Sequence, residues 1–285
     1  MKKIFAIFAI AAMTFSCAKP ETEGVAEQLP ISISTTLTRA TDAGYEQGDK
    51  VGLYVVNQPA ALATSGNHVD NMDFTYSTTW TPSTPIYWLD KSTKADFYCY
   101  YPYAEVADVT AVPFSTKADQ STLENYKASE FLWGKTAGVA PTADAVAITT
   151  NHTLSSALVY LKAGRGFTEE SLAAATKSVK ILGVKSEATI DLTSGVATAT
   201  GASTTITPYN DNGCYRALIV PQSTEGGALI VVTVNNTNYT LSKSFTFEPN
   251  CQYKFTVTLH KINNGINIGI GEWYVSDEDF GGDAE

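Results

Sequence analysis

Apolar and polar residues alternate with a period of two along most of this chain, and no other feature excludes as many folds. Successive side chains of a strand point to opposite faces, so such runs make strands with one face on a core and one on water. Tyr253, Phe255, Val257 and Leu259 alternate with Gln252, Lys254, Thr256, Thr258 and His260. Val51/Leu53/Val55, Ala95/Phe97/Cys99/Tyr101, Ala157/Val159/Leu161 and Cys214/Arg216/Leu218/Val220 follow the same rule. Between the runs stand Thr193-Ser194-Gly195, Asp211-Asn212-Gly213 and Asn235-Asn236, whose residues tolerate the positive φ of tight hairpins. An all-β, mostly antiparallel fold follows. The spacing gives about fifteen short strands, more than the roughly seven to nine of one sandwich, so two β-sandwiches in tandem are expected.

Helical signals are few. Thr168-Glu169-Glu170 predicts a short helix through Ala175 with Lys177 near its end, and Ser121-Thr122-Leu123-Glu124 fits a capping box before a very short helix. Gly164-Arg165-Gly166 is the expected boundary between the two sandwiches, 40–165 and 166–285.

The two ends of the chain carry patterns of their own. Lys2 and Lys3, an apolar run from Ile4 to Met13, and Ser16 directly before Cys17 read as an export signal over residues 1–16 with Cys17 as a lipidated first residue. No later stretch approaches the ~18 apolar residues of a membrane-spanning helix, so the lipid is the expected anchor to an outer membrane. Residues 17–39 form a pro-segment in which Leu29, Ile31, Ile33, Thr35 and Leu37 alternate with polar residues and Pro30 before Arg39 interrupts. Arginine occurs otherwise only at 165 and 216. A terminal strand of this kind is removable by one cut, which leaves an apolar groove and an unpaired sheet edge. Near the other end Ile266, Ile268 and Ile270 alternate with Asn267, Gly269 and Gly271 before Trp273. Strand donation needs a vacated edge on one molecule and an extended alternating segment on the next, and the chain holds a candidate for each. The alternative is that both are ordinary edge strands of a monomer.

Charge and chemistry narrow the function by exclusion. A net charge of −10 without clustered bases opposes nucleic-acid binding, and the acids from Glu272 to Glu285 read as a solvated tail. Cys99, Cys214 and Cys251 lack a short Cys-x-x-Cys spacing, so neither a disulfide framework nor a zinc site is expected. His68, His152 and His260 stand far apart, with no His-Glu-x-x-His or Gly-x-Ser-x-Gly beside them. His152 reads as a hydrogen-bonded structural residue and His260 as solvated. Asp277, Asp279 and Asp283 lack the glycine-centred loop of a calcium site. No enzyme activity, cofactor or metal is expected. The aromatic cluster Phe97, Tyr98, Tyr100, Tyr101 and Tyr103, with Trp80, Tyr87 and Trp88 upstream, supports a second hypothesis, a platform for sugar rings. Alternation puts Phe97, Cys99 and Tyr101 on one face and Tyr98 and Tyr100 on the other, so at least half of the cluster is expected to be core.

Gly48-Asp49-Lys50-Val51-Gly52-Leu53-Tyr54 and Asp96-Phe97-Tyr98-Cys99-Tyr100-Tyr101-Pro102-Tyr103 together resemble the fimbrillin-like proteins of Bacteroidetes. Asp119-Gln120-Ser121, Phe131-Leu132-Trp133-Gly134, Asn151-His152-Thr153-Leu154-Ser155-Ser156 and Tyr253-Lys254-Phe255 leading to Ile270 and Trp273 agree in order and spacing. The resemblance implies two transthyretin-like sandwiches, export as a lipoprotein, and cutting by a trypsin-like protease between Arg39 and Ala40. It also implies assembly with other fimbrial subunits by strand exchange, at the surface of the outer membrane. The acidic, Gly-rich residues after Val275 depart from a strong donor strand. The expected function is therefore a structural subunit of a fimbria, with a monomeric glycan-binding or adhesive surface lipoprotein, meeting host or bacterial ligands, as the alternative.

Overall fold

The computed structural model describes residues 28–37, 44–261, 271–272 and 282–284. The chain is all-β apart from two short helices among the described residues. It begins with β1 (Ile33–Leu37), β2 (Lys50–Asn57), β3 (Val69–Tyr76), β4 (Trp80–Pro82), β5 (Ala95–Tyr101) and β6 (Val112–Ser115). Helix α1 (Leu123–Lys127), β7 (Leu132–Val139), β8 (Val146–His152), β9 (Ser155–Ala163) and helix α2 (Glu169–Ala174) follow. Then come β10 (Lys177–Asp191), β11 (Val196–Ile206), β12 (Tyr209–Asp211), β13 (Cys214–Ile219) and β14 (Gln222–Thr224). The last group is β15 (Ala228–Val234), β16 (Thr237–Ser242), β17 (Phe245–Phe247), β18 (Cys251–Leu259), β19 (Gly271–Glu272) and β20 (Gly282–Ala284).

The local signals explain most of the chain reversals. In the hairpins at 212–213 and 235–236 both central residues have positive φ (Asn212 51°, Gly213 96°; Asn235 46°, Asn236 68°), the form whose twist matches paired strands. Thr168 caps α2 by accepting from the Ser171 N–H at 3.1 Å, while Ser171 Oγ accepts from the Thr168 N–H. Lys177 Nζ then donates to the carbonyls of Leu172, Ala173 and Ala175, satisfying groups the helix end leaves open. At α1 the cap is Thr122, one residue later than the sequence box begins.

One seven-stranded sheet runs in the order β1-β8-β7-β5-β2-β3-β4. Its pairs are antiparallel except β1 with β8, which is parallel from Ile33↔Val146 to Leu37↔Thr150. A second sheet runs β11-β10-β15-β16 with β6 also on β10, and a third runs β12-β13-β9-β18 with β19 and β20 on the far side of β18. β9 and β18 are parallel from Ser156↔Gln252 to Ala163↔Leu259. A boundary at residue 165 does not coincide with these sheets, because β9 lies before it yet pairs with β13 and β18, and β6 lies before it yet pairs with β10.

Three cores account for the burial. Val51, Leu53, Val55, Phe97 and Cys99 face a core within the first sheet. Tyr54, Val56, Tyr98 and Tyr100, on the opposite face of the same strands, meet Ala188, Ile190, Leu218 and Val220 in a second core shared with the later sheets. The alternation in β2 and β5 was expected to mean one face on water; both faces are covered instead, as in any strand sandwiched between two layers. The third core lies between the second and third sheets, with Val179, Ile181 and Val184 of β10 facing Tyr253, Phe255 and Val257 of β18. β10 thus reaches two cores with its two halves and ties them into one body. Trp133 adds a second tie: its indole N–H donates to the Leu192 carbonyl at 2.8 Å, and its ring lies so close to Gly195 that a Cβ there would sit 2.4 Å from it.

Candidate functional site

The sequence-predicted removable strand has a defined seat. Ile31 and Ile33 are each 4% exposed, while Leu29 and Leu37 are half-buried and Ser32, Ser34 and Thr36 face outward. Each fully buried isoleucine adds about 1.5–3 kcal/mol of apolar transfer energy. Backbone bonds zip the segment on both sides. The Ile31 N–H donates to the Ile86 carbonyl and the Trp88 N–H to the Leu29 carbonyl, both at 2.9 Å; on the other flank the Val146 N–H donates to the Ser32 carbonyl at 2.8 Å. The Trp80 indole N–H donates to Thr35 Oγ1 at 2.8 Å.

β1 and β4 are opposite ends of the seven-stranded order, yet Trp80 of β4 and the residues just after it touch the N-terminal segment. The sheet is therefore rolled onto itself and the N-terminal strand closes the seam. Without that strand, Trp80, Ile86, Trp88, Val146 and Ile148 would lose the cover over their core. Sequence reasoning found Leu29, Ile31, Ile33 and Leu37 but missed their partners, because Trp80, Ile86 and Val146 are distant in the chain and carry no local mark of a seam. The expected lipidation site Cys17, the cut between Arg39 and Ala40, and Ile266, Ile268, Ile270 and Trp273 lie outside the described residues.

A cavity of about 500 Å³ opens where β1 ends. Leu37 and Gly44 both line it, as do Tyr45, Tyr101 and Leu132. Its polar wall holds Asp49, which accepts from the Glu46 N–H at 2.7 Å and from the Tyr101 hydroxyl at 3.3 Å. Glu130 meets His152 Nδ1 at 3.0 Å, and Lys127 pairs with Glu46. Burial first, and then the carboxylates of Asp49, Glu130 and Glu46, push the Tyr101 phenol up to about 12.

Nothing in this arrangement is set up for bond-making chemistry. His152 is buried and bonded to Glu130, as a structural histidine is. His260 differs from its expectation: its Nδ1 accepts the Arg165 N–H at 2.9 Å, so it holds the 164–166 turn rather than standing in water. His68 Nε2 lies 2.7 Å from the Tyr87 carbonyl, remote in the chain from both. Most of the aromatic cluster offered as a glycan platform is core: Phe97, Tyr98 and Tyr100 are 0%, 6% and 1% exposed and Trp80 and Trp88 are buried, while Tyr87 is exposed. No disulfide joins Cys99, Cys214 and Cys251. Burial pushes the Cys99 thiol up to about 12, so near pH 8 it is both enclosed and protonated. Native protein treated with a thiol reagent at that pH is expected to leave Cys99 unmodified and to gain it as a labelled site on denaturation, read by peptide mass mapping. Labelling of Cys99 at the rate of a free thiol in native protein would contradict its burial.

Comparison with known proteins gives a consistent picture. The family model described as fimbrillin-like matches residues 38–273. A Bacteroides uniformis protein named as a fimbrium subunit, Fim1C, is 25% identical over 256 residues, which span 83% of this chain and 81% of that one. Among solved structures, one described as a cell adhesion protein of Bacteroides uniformis superposes with a TM-score of 0.67 at 24% identity, covering 86% of this chain and 99% of its own. Another so described, from Bacteroides ovatus, gives a TM-score of 0.69 at 21% identity over 88% of this chain and 99% of its own.

Proposed function

Because the chain belongs to the fimbrillin-like family, a group of structural and not enzymatic proteins, we propose that it is a fimbrial subunit assembled by strand exchange. Its place is a cell-surface appendage, as a fimbrial or adhesion subunit. The finer reading has the chain exported as a lipoprotein acylated at Cys17 and held at the outer membrane. A cut between Arg39 and Ala40 then releases β1. The opened seam receives an extended segment from another subunit of the same or a related kind, with the region of Ile266, Ile268, Ile270 and Trp273 as the donor. The same reading treats the molecule as two transthyretin-like sandwiches, with β9 assigned to the second.

The observation that carries the proposal is the seam. A strand that lies at the start of the exported chain, closes a rolled sheet and is followed at once by an arginine can leave by one cut without breaking the rest of the backbone. Its place offers what β-strand addition requires, a row of backbone groups on Val146–Thr150 and pockets for alternate side chains. Digesting purified full-length protein with an arginine-specific protease is expected to give a product that begins at Ala40 and then a ladder of oligomers resistant to detergent. A chain that stays uncut at Arg39, or is cut and stays monomeric, defeats the reading.

A further inference from the structure

We infer that the outer edge of β11 docks a second copy of this chain, which adds its own β11 antiparallel across a two-fold axis. β11 is the last strand of its sheet, and among the described residues no strand pairs with its outer side. Only past its end does the backbone find a further partner, the Thr207 N–H donating to the Ala118 carbonyl and the Thr207 carbonyl accepting from Gln120. In the strand-exchange reading subunits join through the seam of β1. The β11 edge lies in another sheet and is complete with β1 in place, so the two contacts are independent.

An unpaired edge offers a row of backbone donors and acceptors, and sheets ordinarily guard such a row with charge, proline or a bulge. β11 has no charged residue and no proline along its 11 residues. Bulges guard only its second half: the register shifts between Leu182 and Val184 and between Lys185 and Glu187, and Gly201 bends the strand with a φ of 71°. The first half keeps an unbroken register from Asp191↔Val196 to Glu187↔Thr200. Ala197 and Ala199 rest on the second core, while Val196 and Thr198 are exposed. The strand is also held in place before any partner arrives. Asp191 accepts from the Thr193 N–H and from the hydroxyls of Thr193 and Ser194, and Trp133 grips Leu192 and Gly195. A preformed edge loses little freedom on binding.

The residue pattern selects the occupant. Antiparallel pairing centred on Thr198 sets Thr198 against Thr198, Val196 against Thr200 and Ala197 against Ala199, so β-branched pairs fill the outer face and small residues the inner one. No charge meets a charge along this strip, since Glu187 and Asp191 stand one strand back. A charged peptide finds no counter-charge there. A chain of net charge −10 repels its own copy over most of its surface, and a neutral, self-complementary strip is where two copies can approach. So short a contact falls below the ~1,200 Å² of a standard interface, and a weak, concentration-dependent dimer is expected.

The test follows uncut full-length protein by sedimentation over a range of concentration and salt. A monomer–dimer equilibrium that tightens as salt screens the acids is expected, with slowed hydrogen exchange confined to Val196–Thr200. Thr198→Lys and Thr198→Glu, at an exposed side chain, are each expected to weaken the dimer about tenfold with the thermal midpoint unchanged. An equal mixture of the two variants is expected to regain it, because the opposite charges then face each other across the axis. Thr205→Lys, in the bulged half, is expected to leave the dimer as it is. Protein that stays monomeric at its solubility limit, or a dimer that both Thr198 variants keep, overturns the inference. A mixture that remains monomeric overturns the two-fold register, and equal weakening by Thr205→Lys moves the contact off this half of the strand and overturns it too. A dimer that appears only after the cut at Arg39 belongs to the seam, and the β11 edge falls. Absence of a ladder after the cut, with the uncut dimer intact, defeats strand exchange and supports this edge.

Discussion

Replacing Ile33 by aspartate is expected to cost the fold about 4 kcal/mol or more, because it removes a buried apolar side chain and places a carboxylate in an apolar core. Ile33 is 4% exposed and packs in the core with Trp80, Val146 and Ile148. Denaturant unfolding measures the loss, and amide exchange locates it: protection should fall first along Val146–Thr150, the strand that pairs with β1. The sign of the pH dependence is fixed by burial. The introduced carboxyl would have its pKa raised in the docked strand, so the penalty is full at neutral pH and shrinks as pH falls toward the unfolded-state value of about 4. Ser34→Asp, on the outward face, is expected to change stability by no more than about 0.5 kcal/mol. If both substitutions cost the same, β1 does not close the sheet.

The second large effect is expected at Gln120, which is fully buried and acts as a single rung of a ladder. Its Oε1 accepts the Leu218 N–H and its Nε2 donates to the Leu218 carbonyl, both at 2.8 Å. Its own backbone is held by a different segment, the Gln120 N–H donating to the Thr207 carbonyl at 2.9 Å. Gln120→Leu fills similar space but leaves a backbone donor and acceptor of β13 buried without partners, at about 1–3 kcal/mol each. The denaturation midpoint should drop by an amount corresponding to about 2–6 kcal/mol with an unchanged slope. A loss under about 0.5 kcal/mol would mean that water replaces the amide and that the rung is dispensable.

How legible all this was in the sequence depended on the range of the interaction. The alternation of Tyr253, Phe255, Val257 and Leu259 gave a strand with one buried face because one neighbouring layer decides it, and that face is the buried one. Asn212-Gly213 and Asn235-Asn236 gave hairpins because the backbone requirement is local. That both faces of β5 are core, Tyr98 and Tyr100 included, was not legible for a physical reason. A tyrosine reads as amphipathic, and the layer that buries these two comes from β10 and β13, roughly a hundred residues downstream; Tyr100 keeps its hydroxyl satisfied by Asn71 and the Ala104 carbonyl at 2.7 Å. The N-terminal segment was read as a strand from its period, but its parallel pairing to β8 and its role in closing the seam follow from topology. The cavity beyond Leu37 left no trace in the sequence, since Tyr45, Tyr101, Tyr126, Glu130 and His152 converge only after folding.

The parallel register of β9 and β18 has a mechanical consequence. A pull on the chain beyond residue 261 acts along the axis of β18, whose partner runs beside it in the same direction from Ser156↔Gln252 to Ala163↔Leu259. Such a load is shear: the rungs of the ladder carry it together, whereas a hairpin pulled at its open end gives way one rung after another. Forced unfolding is governed by a rate and not by an equilibrium. For a subunit in a tethered filament, the time for which it holds under tension would thus be set by this pair of strands more than by the total stability of the molecule.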